Sequence, residues 1–342
     1  VAFTGDLVYG DGRLLDLYSL QDSIPEICRG YHGYGARSAQ LIESLKRIAD
    51  EKPDLLIPAR GPIITEVEET LERLISRLRA VYKNYLEISA YSWYSEKPEA
   101  EQMAVRVLGP SPQVNWMQST KTDVQDLHEW IVPIRNSRLI LSQDGSGFLI
   151  DCGSQAIIDQ LIGLRDSGQL SSIDGVYVSH YHDDHTDQLA ALIDEFSCHV
   201  YASAELQDVL EHPGAYRLPA MTAIPVKNLK SMEDGSRISW KEFEFTFNYF
   251  PGQTIYHGAL TVRRTDGKQI CFVGDSFTPT GIDDYCPQNR NFLHPGMGYL
   301  RCLEFLRRLD PETLLINQHV MPMFRFSAER LDRMEQNLKT RV

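Results

Sequence analysis

Residues 180–185 read His-Tyr-His-Asp-Asp-His, so three imidazoles and two carboxylates fall within one short run. Such crowding is costly unless a cation organises it, and neutral imidazole with carboxylate is a donor set suited to zinc, iron or manganese. The run follows the apolar stretch GVYVSH at 175–180 and precedes a helical stripe of Leu189, Leu192, Ile193 and Phe196, which places it on a strand-to-helix turn. Side chains two apart at a strand end share a face, so His180 and His182 point the same way. The turn then brings Asp184 and His185 back toward them.

The surrounding elements are those needed to hold such a turn. IVPI at 131–134 and SRLILSQDGSGFLIDCG at 137–153 predict consecutive antiparallel strands, with Asp144-Gly145 as the turn. Ile157, Ile158, Leu161 and Leu164 mark one face of a helix. Phe243, Phe245, Phe247 and Tyr249 alternate with Glu244, Thr246 and Asn248, as a half-buried strand requires, and Asp266-Gly267 predicts another hairpin turn. Helices alternating with antiparallel strands suit two packed sheets flanked by helices.

The His-x-His-x-Asp-His run resembles the signature of the metallo-β-lactamase superfamily, and further motifs of that pattern follow in order over residues 121–342. The resemblance implies an α+β fold, a four-layer αββα sandwich, with one or two metals between its sheets. On the same resemblance Asp151 in FLIDCG supports the site from behind. Asp275 in FVGDSF bridges two metals, and His319 in INQHV is the last histidine ligand. One motif departs. Where the family has a histidine directly after Pro-Gly, this chain has Gln253, in Phe250-Pro251-Gly252-Gln253-Thr254-Ile255-Tyr256-His257. Either His257 swings in as the replacement or Gln253 offers only a carbonyl oxygen. Because an amide is a poor zinc ligand, His257 is preferred.

The implied centre then has His180, His182 and His257 at one metal, Asp184, His185 and His319 at the other, and Asp275 between them. Two divalent ions, zinc foremost and iron or manganese the alternatives, would sit ~3.5–4 Å apart and bring the pKa of water from near 16 toward about 7. Asp184 would also orient the nucleophile or carry a proton to the leaving group. Tyr256 is placed to donate to a developing oxyanion, with core packing the plainer role. Asp183 reads as solvated, and His294 as a turn residue.

A second pattern lies near the start. VAFTGDL with Asp6, the Gly-rich HGYG at 32–35, the run SAQLIESLKRIAD and LLIPARGP at 55–62 repeat the order of CFVGDSF with Asp275, a loop with Gly296 and Gly298, the run Leu300–Leu309 and LLINQHVMP at 314–322. The reading is a degenerate back half of the same fold over residues 1–83, a linker over 84–120 and a catalytic domain over 121–342. Arg60 stands where His319 stands, and a guanidinium stays protonated and ligates no metal. Since half a sandwich leaves edges and apolar faces bare, residues 1–83 are expected to pair with an upstream fragment or another subunit. The chain opens on Val1, directly in a strand-like run and without a signal-peptide pattern, as though its beginning had been removed.

Composition narrows the function. With 342 residues, 42% hydrophobic, the chain can fill two cores. No apolar stretch nears the ~20 residues that span a bilayer. A net charge of −13 argues against polyanionic substrates and so against nucleic acid. Six scattered cysteines without a Cys-x-x-Cys pair fit small core residues and a reducing cytoplasm. The expected activity is metal-dependent hydrolysis of a small ester, lactone or thioester. The alternatives are a phosphodiesterase or nuclease of the same fold, a di-iron redox protein, and a non-catalytic scaffold.

Overall fold

The computed structural model describes residues 1–13, 38–94, 97–119, 121–218, 220–227, 229–283 and 297–340. The chain divides into two units: residues 1–118, 280–294 and 332–342 form the first, and residues 119–279 and 295–331 the second.

In the first unit β1 (Ala2–Gly5) pairs in parallel with β2 (Leu56–Pro58), and α1 (Ser38–Asp50) connects them. The apolar stripe that follows Pro62 becomes α2 (Val67–Ile88), which buries Leu71, Leu74 and Leu78. The stretch expected as a linker contains the end of α2, the short α3 (Tyr91–Tyr94) and α4 (Lys97–Leu108). Ala100, Met103, Ala104 and Val107 of α4 are buried at the helical spacing, but two alanines and a methionine make a faint stripe in sequence. Residues 280–283 and 332–340 also belong to this unit rather than to the expected catalytic domain. Hydrogen bonds hold them there: Ala90 N donates to Ile282 O at 2.7 Å, and Asn84 Nδ2 to Thr340 Oγ1 at 2.8 Å. The HGYG segment at 32–35 lies outside the described residues.

In the second unit β3 (Val124–Gln125) is followed by β4 (Ile131–Ile134), β5 (Ser137–Leu141) and β6 (Ser146–Ile150), the predicted hairpins. Next come α5 (Gln155–Asp166), β7 (Ser172–Val178), α6 (Asp183–Thr186), α7 (Leu189–Phe196), β8 (His199–Ser203), α8 (Ala204–Glu211) and β9 (Leu229–Met232). The strands β10 (Arg237–Trp240), β11 (Phe243–Tyr249), β12 (Gly258–Arg264) and β13 (Gln269–Phe272) form a meander that leads to β14 (Phe277–Thr278). The chain passes through β15 (Gly281–Ile282) in the first unit and returns as α9 (Gly298–Arg308), β16 (Leu314–Ile316) and β17 (Met323–Phe324).

Two sheets result, one in the order β4-β5-β6-β7-β8-β9 and the other β10-β11-β12-β13-β16-β17-β3. Strand alternation sends side chains to two different cores. Phe148, Ile150 and Tyr177 meet Phe245, Phe247, Leu260 and Phe272 between the sheets. Leu149, Val176 and Val178 face outward onto Ile157 and Leu161 of α5, Leu189 and Leu192 of α7, and Leu206 of α8. Tyr299, Cys302, Leu303 and Leu306 form the buried stripe of α9. The architecture is the expected αββα sandwich. Among the described residues no helix is long and apolar enough to cross a membrane.

Candidate metal centre

Strand β7 stops at Val178 and α6 begins at Asp183, so the turn between them carries His180 and His182 and feeds Asp184 and His185 onto the first helical turn. Each of these is positioned by a neighbour. Asp151, one residue beyond β6, has φ +62°, a conformation unusual for a residue with a side chain. Four donors compensate for it. Asp151 Oδ1 accepts from Ser179 N at 2.7 Å, and Oδ2 accepts from Ser179 Oγ at 2.7 Å, from Gln318 Nε2 at 3.1 Å and from His185 Nδ1 at 3.0 Å.

These contacts set the tautomers. A carboxylate only accepts, so His185 carries a proton on Nδ1 and presents Nε2 to the site. Ser179 has given its one hydroxyl proton to Asp151 and therefore accepts from His180 Nδ1, 3.0 Å away, which leaves His180 Nε2 as its donor atom. Asn136 Nδ2 donates to Asp184 O at 2.7 Å and steadies the helix start.

Asp275 follows β13 and His319 follows β16, neighbouring parallel strands in the other sheet. They reach His185 and Asp184 to complete a ring. Asp275 Oδ2 lies 3.2 Å from His185 Nε2 and 3.1 Å from His319 Nε2. Asp184 Oδ2 lies 3.4 Å from His185 Nε2 and 3.1 Å from His319 Nε2. Donors bound ~2.0–2.2 Å from a shared zinc ion stand about 3.3 Å apart when tetrahedral, so this spacing fits such a cation. Two threefold donor groups draw on it: Asp184, His185 and His319 lie within the ring, while His185 and Asp275 also group with His180.

The electrostatics agree. Burial alone would lower the pKa of His185, but Asp275 and Asp151 outweigh it and hold it well above the ordinary histidine value. Asp275 likewise lifts His319 to about 10. Burial opposes the charges on Asp184 and Asp275, yet His185 and His319 hold both carboxyls well below their usual range. His180 is pushed well below by burial and by the neighbouring His185 and His182, so it stays neutral, as a metal ligand must. Asp275 Oδ1 is buried without a hydrogen-bond partner among the described residues, a carboxylate oxygen with ligating capacity to spare. The residues present fit a divalent cation.

The remaining expected residues fall out differently. His182 Nδ1 lies 2.9 Å from His180 Nε2 but joins neither threefold group. His257 also stays outside both. It pairs across a β-bridge with His180, stacks on its ring at 4.9 Å, and lies 3.3 Å from Ser276 Oγ through Nε2. Burial lowers its pKa to about 4. Gln253 is 2% exposed, and its main-chain N donates to the same Ser276 Oγ at 3.3 Å. Tyr256 packs edge-on to Tyr181 and Tyr216, and Tyr181 lies edge-on to His182. Asp183, expected to be solvated, is half-buried and accepts from Asp184 N at 2.9 Å. His294 lies outside the described residues.

Three supporting side chains escaped the sequence reading. Ser179 and Gln318 immediately precede His180 and His319, an adjacency that was available as a signal. Arg138 had none. It is 1% exposed, with its pKa lowered by burial to about 10, and it donates to the carbonyls of Asn317 and Val320 at 3.2 and 2.9 Å. It thereby pins the loop that presents His319.

Over 194 residues the chain is 26% identical to a hydroxyacylglutathione hydrolase of Tolumonas auensis, a match covering 55% of this chain and 63% of that protein. The chain thus spans less than two thirds of that relative. Among solved structures it is similar to a Cronobacter sakazakii metallo-β-lactamase motif mutant, at 17% identity and a TM-score of 0.47, over 64% of this chain and 95% of that one. It is also similar to a subclass B3 metallo-β-lactamase of Bradyrhizobium japonicum, at 13% identity and a TM-score of 0.43, over 66% and 92%. The sequence profile of the metallo-β-lactamase superfamily matches residues 131–319, which include every member of the ring. More than half of the chain lies within that match, and the chain belongs to the metallo-β-lactamase superfamily.

Proposed function

We propose that this chain hydrolyses a small thioester, with esters and lactones as neighbouring substrates, and that zinc is its working metal. The ring of His185, Asp184, His319 and Asp275 carries the reading. When bound there, a divalent cation supplies Lewis acidity toward a carbonyl oxygen and makes water more acidic.

The chain's own groups do the rest. His180, His185 and Asp275 are buried, whereas the side chains of Asp184 and His319 are 39% and 35% exposed, so substrate and water reach the ring from the Asp184–His319 side. Asp184 stays ionised there and can accept a hydrogen bond that orients the attacking water. Asp151 keeps His185 in its working tautomer, and Arg138 keeps the His319 loop in place. Tyr256, partly exposed and packed edge-on to the buried Tyr181, offers an aromatic surface suited to an apolar acyl group. The name of the Tolumonas relative denotes a glutathione thioester hydrolase, which supports ranking thioesters first. The net charge of −13 favours small substrates over nucleic acid.

The test is a panel of thioester, ester, lactone and phosphodiester substrates against the zinc-loaded protein. Turnover of the thioester, lost by more than about 100-fold in His319→Ala, is expected. Cleavage of the phosphodiester alone would overturn the assignment.

A further inference from the structure

Two donor positions meet at Asp275, and they are built unequally. The ring position has four protein donors, Asp184, His185, Asp275 and His319, with neighbouring atoms 3.1–3.4 Å apart around a closed circuit. The other position has His180 Nε2, which groups with His185 and Asp275 and lies 3.8 Å from Asp275 Oδ2, and His182 Nδ1, 2.9 Å from His180 Nε2 but in neither threefold group. A third imidazole at this position would have to be His257. Its Nε2 lies beside the two residues that flank Asp275, 3.3 Å from Ser276 Oγ and close enough to Gly274 that a Cβ there would come to 2.5 Å from it, and it joins neither threefold donor group. Swinging His257 forward would break its Ser276 contact and its stacking on His180. Gln253, the other side chain on that loop, could bring only an amide, a weak donor to zinc.

Charge separates the positions further. The ring carries two carboxylates that neutralise a divalent ion. The His180–His182 pair carries none of its own and borrows a share of Asp275. Binding strength rises with the number of anionic donors, so the two positions differ in affinity.

We propose that the centre is asymmetric: one divalent cation binds tightly in the Asp184, His185, Asp275 and His319 ring, and the His180–His182 position takes a second ion only at far higher concentration. This rests on the reading of the ring as a cation site, and it is independent of which substrate is cleaved.

Competition titration of the metal-depleted protein with zinc against a chromophoric chelator tests it, with cobalt(II) absorption as a second readout. One equivalent is expected to bind at least about 100-fold more tightly than the next. His319→Ala should abolish the tight step. His182→Gln, which keeps a polar side chain of similar size, should leave the tight step within about threefold and remove the weak one. Gln253→His should strengthen the weak step by about tenfold or more, restoring a third imidazole. Two equivalents of equal affinity in the unaltered chain, or loss of the tight step in a folded His182→Gln protein, would overturn the asymmetry. The binding curve needs no substrate, so inactivity across the hydrolysis panel with an intact tight step would remove the thioester reading alone.

Discussion

Strands β1 and β2 of the first unit and β13 and β16 of the second share a backbone down to single hydrogen bonds. Ala2 pairs with Leu56 and Phe3 with Ile57, as Cys271 pairs with Leu315 and Phe272 with Ile316, both in parallel. A left-handed glycine closes β1 and another follows β13 two residues on, Gly5 at φ +55° and Gly274 at +51°. There a Cβ would be strained, and the turn swings the next residue, Asp6 or Asp275, off the strand end. Gly5 O accepts from Ala59 N at 2.8 Å, and Gly274 O from Gln318 N at 3.2 Å. One residue later come Arg60 and His319. Arg60 Nε lies 3.6 Å from Asp6, and His319 Nε2 lies 3.1 Å from Asp275.

The same frame thus delivers a carboxylate and a basic side chain side by side in both units, with different chemistry. In the first, the guanidinium is a permanent cation already in the metal's place, and the pair is exposed, 74% for Arg60 and 43% for Asp6. In the second, the imidazole can give up its proton and Asp275 is buried. The second carboxylate and imidazole come from the 180–185 turn, on the other sheet. A β-α-β frame places one donor pair, and a metal centre requires a second pair from across the sandwich.

His319→Arg, which copies Arg60 into the second unit, tests this most severely. Metal content measured by elemental analysis should fall to background, with affinity down by more than about 100-fold. Retention of a full equivalent would break the comparison. Asp151→Asn keeps the ring but weakens the group that orients His185. It should lower zinc affinity by about 10–100-fold in the same chelator competition. An unchanged constant would show that the tautomer is set elsewhere.

Protons and metal compete for the ring. In the metal-free fold His319 has a pKa of about 10 and His185 lies well above its ordinary value. Both are raised above the unfolded value of about 6.5, so their stabilisation is complete below that pH and is lost as pH rises toward 10. Chelated protein should therefore melt at progressively lower temperature from about pH 6.5 to 10. Zinc uptake at pH 7 should release protons into a weak buffer. A melting temperature that rises over this window would contradict the charge pairing.

The smallest effect is expected from Arg60→His. Exposed ion pairs contribute about 0–1 kcal/mol, so stability by denaturant titration should shift by no more than that. No metal should be gained, because among the described residues the first unit's strand ends bring together no second carboxylate and imidazole. Zinc bound by residues 1–83 of this variant would show that two donors suffice.

Much of the sandwich was legible because its signals are local. The Phe243–Tyr249 alternation became β11, and the Asp144-Gly145 turn joined β5 to β6 with Asp144 Oδ1 accepting from Ser146 N at 2.9 Å. Helix α4 was missed because alanine and methionine give a stripe too weak to separate from a loop. The His180–His185 turn was evident, since nothing but proximity in sequence is needed to crowd its donors. Asp275 and His319 were marked by a resemblance, and their approach to within 3.1 Å of each other is a property of parallel pairing between β13 and β16.

His257 shows where the local pattern stops. Its position directly before β12, next to Tyr256 and a short span from Gln253, is the same whether it faces the cation or not. Only the tertiary structure sets its Nε2 beside Gly274 and Ser276, outside both threefold donor groups. Which donor types exist, and which sit together on one turn, could be read from the residues alone, because those follow from side-chain chemistry and strand and helix periods. The tertiary structure decided which of them converge and how many each cation position receives, because that depends on atoms brought within about 3–4 Å by two sheets packing face to face.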